Sequence, residues 1–583
     1  MMVVLGHQTD RAKFPVIGNM TLTPARWAVG CLVCYFLVAL NIVIQNNGGT
    51  QGDELPWVWS CWLMLCFLLA GVWFLMPGKK PQQITPTLRW LFVGCIILTL
   101  PLIWSPHRDW QYHALPRLAG LWAGLFVYYS LLQCKLTSRQ WTVIWTCIAI
   151  GALFQAVFII GEIFAPSLTP VVSQAAAEKF GFGVFQQKNV AASYLATGLA
   201  LALGMLADKN MNWGRGKLEI IRQVILGLCL IFISAVLYML YSRTGWICWF
   251  TDVFIICSLL FFTSVFKTSH RRRLVILMLP FFGFALGYGL SFLEPSLLKS
   301  PHDGSSAQRW LTLKACWDMM IESPLRGWGY GGFEFAFQHW VANQSPVIPT
   351  REMMNHPHNE ILFWGVEGGI TSLIGLVVIC IAGIKLIFNR FTSTRLVIGI
   401  SIIPIMLHVQ VEYPLYLSSA HWLIVLLLLV SCDTETVSNA GSKQTIKHIV
   451  CYRKIFASTI AIFALCGSLF CAIAIHNEVV LTKFEIRKLV DDESITMLPM
   501  PWLINERYVK DIALLNILRF QKTNDNQYLN TYIELSHQWL KTRVDADVYN
   551  NLINVEFYLN LNLAAKNDQK EAQLLFPYDK RFE

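Results

Sequence analysis

His356-Pro357-His358-Asn359-Glu360 closes a long polar loop and runs directly into Ile361 to Phe388, a mostly apolar stretch. Such a run is long enough to cross the hydrocarbon of a bilayer as a helix. Two imidazoles, an amide and a carboxylate therefore stand where a membrane helix meets water. Holding a charge there costs about 2.5 to 3.5 kcal/mol on insertion scales, so such groups need a task or a partner. Two readings follow. One is a reactive centre at the membrane surface. The other is an interfacial cap, with Asn359 and Glu360 favoured by the positive end of the helix.

The rest of the chain repeats that apolar pattern. Of 583 residues 55% are hydrophobic and only 14% charged, with a mean hydropathy of +0.49, too much apolar surface for one water-soluble core. Runs of membrane-crossing length fall near 27–45, 57–76, 88–104, 115–132, 141–164, 189–206, 222–241, 246–266, 274–293, 360–384, 397–411, 414–430 and 455–476. That predicts an all-α polytopic membrane protein with about thirteen spans. The pair flanking Glu412-Tyr413-Pro414 carries the weakest signal.

Basic residues set the orientation. Lys79-Lys80, Lys135 with Arg139, Lys209 through Arg222, Lys267 through Arg273, Lys385 through Arg395 and Lys443 through Lys454 occupy alternate loops, which the positive-inside rule assigns to the cytoplasm. The other loops then face outward, including a long one over 294–358. An odd number of spans carries the C-terminal segment outward too. The net charge of +10 is largely used in this bias and is no sign of a nucleic-acid partner. Met1 to Ala25 is polar, so the first apolar run reads as a retained anchor rather than a cleaved signal.

Most of the sixteen cysteines, such as Cys31, Cys61, Cys95, Cys229 and Cys380, fall inside predicted spans as small apolar side chains. Cys31-Leu32-Val33-Cys34 has redox spacing but sits mid-helix. No His or Cys set has zinc-ligand spacing, so neither a metal nor a cofactor is expected. From Asn477 the composition turns to mixed charge with helical apolar spacing, as at Val480, Phe484 and Leu489, which predicts a water-soluble helical tail. The chain divides into an N-terminus (1–26), a first transmembrane part (27–293), an outward loop (294–358), a second transmembrane part (359–476) and the tail (477–583).

Polar side chains gather on the outward side. Tyr241-Ser242-Arg243-Thr244-Gly245 is a tight turn presenting one guanidinium; the alternative is a snorkelling anchor. Ser305 to Trp310 opens an amphipathic helix through Ile321 carrying Arg309, and Pro324 to Phe333 follows with Arg326 and a glycine run. A guanidinium beside a glycine-rich turn with many ring faces suits a sugar linked to phosphate; the bland reading is a membrane-surface turn. Gln187, Lys188 and Asn189 open one span, and Glu412 and Tyr413 join two others. Either pair of segments also reads as a helix-end hydrogen-bonding device.

In this order, Gly183-x-Phe185-x-Gln187-x-Asn189-x-x-Ala192, Ser242-Arg243, Arg309-Trp310, Pro324-Leu325-x-Gly327-x-Gly329, His356-x-His358-Asn359-Glu360 and Glu367-x-Gly369 resemble the O-antigen ligase and polymerase superfamily. Val411-Glu412-Tyr413-Pro414-Leu415 and the helical tail resemble its protein O-oligosaccharyltransferase branch, the pilin-glycosylating enzymes. The resemblance spans nearly the whole chain. It implies a GT-C-like fold, a repeat-like (TPR-like) helical periplasmic tail and an inner-membrane, metal-independent transferase. Its donor would be a glycan on undecaprenyl diphosphate, its acceptor a hydroxyl of a periplasmic or pilin-type protein, and its surroundings membrane lipid. It also implies that Arg243, Arg309 and His358 are the catalytic residues. Lys188 departs from the family pattern, and the neighbouring His356 leaves the choice of base open.

Physical chemistry agrees with those roles. A departing diphosphate needs fixed positive partners, which two arginines supply. An acceptor hydroxyl needs a neutral imidazole, so His358 is expected to be the base, with Glu360 or Asn359 fixing its tautomer. Gln187, Lys188, Asn189, Arg326, His356, Glu412 and Tyr413 are expected to bind substrate or shape the site. Two relatives in function, a lipopolysaccharide O-antigen ligase and a repeat-unit polymerase, would use the same residues on a saccharide acceptor. A transporter or flippase would explain the spans, but neither paired broken helices nor an internal repeat is evident. A membrane scaffold would leave the outward arginines and His358 without purpose.

Overall fold

The computed structural model describes residues 21–46, 52–76, 82–170, 181–185, 187–214, 216–266, 268–294, 305–344, 353–439, 453–487 and 493–583. Lys79, Lys80, Gln186, Lys267, the basic residues at 443–452 and much of the long loop, at 295–304 and 345–352, lie outside these. All regular structure among them is helical. The first nine helices are α1 (Pro24–Leu37), α2 (Pro56–Phe74), α3 (Pro86–Thr99), α4 (Arg108–Cys134), α5 (Ser138–Phe164), α6 (Lys188–Ala207), α7 (Lys217–Met239), α8 (Arg243–Phe262) and α9 (His270–Ser291). Then come α10 (Ser305–Glu322), α11 (Phe333–Ala342), α12 (Glu360–Phe388), α13 (Ser393–His408), the single turn α14 (Pro414–Leu417), α15 (Ser419–Asn439) and α16 (Arg453–Ile486). The tail adds α17 (Glu493–Thr496), α18 (Asn505–Thr523), α19 (Asn526–Leu540), α20 (Ala546–Tyr558) and α21 (Asn562–Leu575).

Helix starts follow from local sequence. Proline fills the first turn of α1, α2 and α3, where its missing N–H is no loss. At α5, Thr137 and Gln140 cap each other reciprocally. Among the described residues, eleven helices are long and apolar enough to cross a membrane: α1 to α9, α12 and α16, with α1 and α3 extended by 3₁₀ turns. The remaining two predicted spans are α13 and α15, which are apolar but shorter. These are the pair whose sequence signal was weakest, and they meet at the Glu412 turn.

Helix α6 is the axis of the bundle, buried along nearly its whole length. Its small residues let neighbours approach closely. A Cβ on Gly198 would stand 2.4 Å from the Ala152 side chain of α5, and one on Gly204 would stand 2.2 Å from Val397 of α13. The outer helices do the opposite and expose Phe254, Phe262, Phe282 and Phe463, as lipid contact requires.

Helix α16 packs along α2 and continues without interruption to Ile486. The compositional change at Asn477 thus falls inside one continuous helix. Arg507 of α18 grips its last turns through Glu478, Thr482 and Glu485. The tail is two helical hairpins, α18 with α19 and α20 with α21, around Tyr532, Tyr549, Leu552 and Ala572. It docks on α4 and α11. Trp110 donates to the Lys541 carbonyl at 2.9 Å, His113 meets Glu506 at 2.8 Å, and Arg543 joins Glu334 to Glu506. Helix α11 itself was not foreseen in the long loop.

Candidate functional site

Glu412 is the hub of a polar cluster built by five chain segments. The carboxylate is fully buried and accepts from Arg309 Nη2 of α10 at 2.6 Å and from Asn189 Nδ2 of α6 at 2.6 Å. His408, one turn earlier on α13, stands 3.1 Å from its other oxygen. Asn189 in turn accepts from Ser242, 2.6 Å away, and Ser242 also caps α8 by accepting from Gly245 N. Behind His408 the network runs on: Ser193 Oγ lies 2.7 Å from His408 Nδ1 and 2.9 Å from His421 Nε2. Burial alone would raise the Glu412 carboxyl. The His408 hydrogen bond and charge, then Arg309 and Asn189, outweigh it and hold the group at about 2.

His358 stands at the edge of this cluster in a left-handed backbone conformation, φ +57°, uncommon for a side chain of its size. Its N–H donates to His356 Nδ1 at 3.0 Å, and its own Nδ1 is buried with no hydrogen-bond partner. Burial lowers its pKa to about 4; Glu412 opposes this, and Arg309 and His356 add to it. The ring is therefore neutral at physiological pH. The Tyr413 ring lies 4.8 Å from that of His356 and 5.5 Å from that of His358.

The expectation that Glu360 or Asn359 orients His358 is corrected. Asn359 caps α12, accepting from Leu362 N at 3.0 Å while donating to Gln410. Glu360 takes Trp364 Nε1 at 2.7 Å and Tyr416 Oη at 2.8 Å, and lies 3.5 Å from His356. Both serve the cap and His356. Because His356 Nδ1 accepts a backbone N–H, its proton sits on Nε2, toward Glu360.

The glycine run is a second correction. The α12 helix breaks at Gly369, φ +61°, and the 324–332 turn splices into the gap. Trp328 N and Gly329 N donate to the Val366 and Glu367 carbonyls at 2.8 and 3.0 Å, and Ile370 N donates to the Pro324 carbonyl at 2.8 Å. Gly331 N and Phe333 N donate to the Glu367 carboxylate, while Gly327 N and Gly332 N bond within the turn. These amides are spent inside the protein, so the turn is a buttress and not a phosphate cradle. Glu367 is completed by Arg117 of α4, whose guanidinium lies 4.4 Å from the Trp364 ring centre and 4.6 Å from that of Phe363.

Of the residues expected at the site, Arg309, Asn189, Glu412, Tyr413, His356 and His358 come together. Arg243 starts α8 beside Ser242, with an exposed side chain. Lys188 interacts electrostatically with Glu412, and the half-buried Gln187 has an Oε1 without a hydrogen-bond partner. Arg326 stands apart: its side chain is exposed and its carbonyl accepts from Trp104. Arg117, His408, Ser193 and His421 were missed. Arg117 had a signal, an arginine inside an apolar span. So did His408, four residues before Glu412. A cavity of about 360 Å³ near Leu206 and Arg272 lies by the opposite end of α6 from Asn189 and is unrelated to this cluster.

Residues 228–380 match a family model described as O-Antigen ligase, and residues 399–583 match one described as Virulence factor membrane-bound polymerase, C-terminal. These matches support the O-antigen ligase/polymerase superfamily. No curated protein matches the chain. The ligase match contains Arg243, Arg309, His358 and Glu367, and the polymerase match contains Glu412 and the whole tail. The superfamily points to glycosyl transfer by a multi-pass membrane protein using a lipid-linked glycan donor.

Proposed function

We propose that the chain is an O-linked oligosaccharyltransferase of the bacterial inner membrane, moving a glycan from undecaprenyl diphosphate to a Ser/Thr hydroxyl of a periplasmic or pilin-type protein. One observation carries the reading: a neutral imidazole with an unpartnered buried nitrogen, on His358, beside the Arg309–Glu412 pair. The acceptor oxygen attacks the anomeric carbon, the bond from that carbon to the phosphate oxygen breaks, and the hydroxyl proton passes to His358. The lipid diphosphate leaves with its electron pair. Arg309 has five N–H donors and gives one nitrogen to Glu412, so the rest of its fork serves the diphosphate; Arg243 is the second cation. Glu412 positions Arg309, and Asn189 links that pair to the Ser242-Arg243 turn. This chemistry uses no metal. The basic residues of the alternate loops support a site on the periplasmic side.

A soluble helical tail docked beside the outward loops favours a protein acceptor. The test is co-expression with a lipid-linked glycan pathway and candidate pilins, read by intact mass of the acceptor. Glycan mass is expected with the wild type and not with His358→Ala. Persistence of that mass in His358→Ala would remove the assigned base, and transfer to lipid A core with every protein unmodified would favour the O-antigen ligase alternative.

A further inference from the structure

Three ligand-type side chains converge in the tail, each from a different helix: His537 of α19, Glu556 of α20 and Asp568 of α21. His537 Nε2 lies 3.3 Å from Glu556 Oε1 and 3.6 Å from Asp568 Oδ2, and the three donor atoms all fall within 4.8 Å of one another. Glu556 is fully buried, yet its Oε2 has no hydrogen-bond partner, and Asp568 Oδ2 has none either. Ionised carboxylates are acceptors only. Two of them enclosed together need something positive between them: a shared proton, an imidazolium at His537 or a bound cation.

We propose that His537, Glu556 and Asp568 form a binding site for a divalent cation of the zinc class. A tetrahedral ion with bonds of about 2.0 to 2.2 Å has ligand-to-ligand edges of roughly 3.3 to 3.6 Å, the separations seen from His537. An imidazole nitrogen with two carboxylates suits zinc better than calcium or magnesium, which take oxygen shells. The His537 side chain is 44% exposed, which leaves an entry path and room for water as the remaining ligand. The site ties α19, α20 and α21 together. Glu571, one turn beyond Asp568, meets His339 of α11 at 3.2 Å, so the cation braces the face by which the tail docks. The sequence led to an expectation of no metal because no His or Cys set has zinc-ligand spacing, and these three residues are widely separated along the chain. The site stands independently of the transfer chemistry proposed above.

The test uses full-length protein in detergent with its affinity tag removed. It is stripped with a chelator, offered zinc, desalted, and read by elemental analysis and by thermal unfolding. The wild type is expected to keep close to one zinc per chain and to melt higher with zinc. Glu556→Gln preserves shape, and His537→Gln alters a part-exposed position; each is expected to weaken zinc binding by at least about tenfold. Equal zinc retention in the wild type and both variants would overturn the proposal. So would a wild type that takes no zinc and melts unchanged, which leaves the carboxyl pair to a shared proton or an imidazolium at His537. Stronger stabilisation by calcium than by zinc would overturn the assigned class.

Discussion

Two buried carboxylates, each held by an arginine, differ in what surrounds them. Glu367 and Arg117 are sealed: the carboxylate takes two backbone N–H groups and the guanidinium, which is itself packed against the rings of Trp364, Phe363 and Tyr330. Glu412 and Arg309 are open: the arginine side chain is 36% exposed, and next to it His358 keeps a buried nitrogen without a partner. A closed pair fixes geometry, here the splice of the 324–332 turn into the break of α12. An open pair, whose arginine reaches solvent, is poised to receive something.

The largest expected effect tests the closed pair. Arg117→Leu strands a buried carboxylate, a loss of about 3 to 5 kcal/mol. Folded yield in detergent and the unfolding temperature should both fall, and adding Glu367→Gln should recover much of the loss. A well-folded but inactive Arg117→Leu protein would dissolve the distinction by making this pair part of the chemistry.

Next is the open pair. Arg309→Ala should leave folding near normal, because the position is part-exposed and Glu412 keeps Asn189 and His408, while transfer from a lipid-diphosphate donor falls by about 10² to 10³. Arg309→Lys should recover little of it, since an ammonium lacks the planar fork that spans Glu412 and a phosphate at once. Arg243→Ala should likewise abolish transfer at normal protein level. Collapse of the fold in Arg309→Ala would show that the second pair is structural as well.

These contrasts explain what was legible in the sequence. Spans and their order could be read because apolar run length is a property of consecutive residues. His358, Asn189 and Glu412 could be read because each is a polar residue at the end of an apolar run, and Arg309 because it opens an amphipathic helix ahead of the glycine run. The function of the glycine turn could not: whether its amides meet a phosphate or the Val366 and Glu367 carbonyls depends on a break at Gly369, which is visible only when α12 and the turn are seen together. Asn359 and Glu360 were misassigned for the same reason, since adjacency to His358 along the chain gave no warning that the helix start would use both. His537, Glu556 and Asp568 are the extreme case, assembled wholly by the packing of two hairpins.

A smaller effect sharpens the role of His358. A base with a pKa of about 4 is already unprotonated at neutral pH. Protonation removes its acceptor nitrogen, so activity is lost as pH falls through that value and is not lost near 6.5, the ordinary histidine range. The kcat/KM of the free enzyme should be level from pH 8 to about 5 and decline below. A midpoint near 6.5 would mean that the ring is better solvated than its burial indicates, and the open pair would then be open to bulk water.

The smallest expected effect concerns the line behind Glu412. Ser193 has one proton to give and three acceptors in reach, the Val190 carbonyl at 3.1 Å and two imidazole nitrogens, so at least one of His408 and His421 must donate to its oxygen for both ring contacts to be hydrogen bonds. Ser193→Ala removes both contacts at about 0.5 to 1.5 kcal/mol each. If the line only holds His408 against Glu412, transfer falls by about tenfold or less and the pH profile keeps its shape. If protons leave the site along it, the acid limb of that profile moves in Ser193→Ala. An unchanged limb with a modest fall in kcat would make Ser193 and His421 a prop for Glu412, joining the inner end of the open cluster to the closed kind.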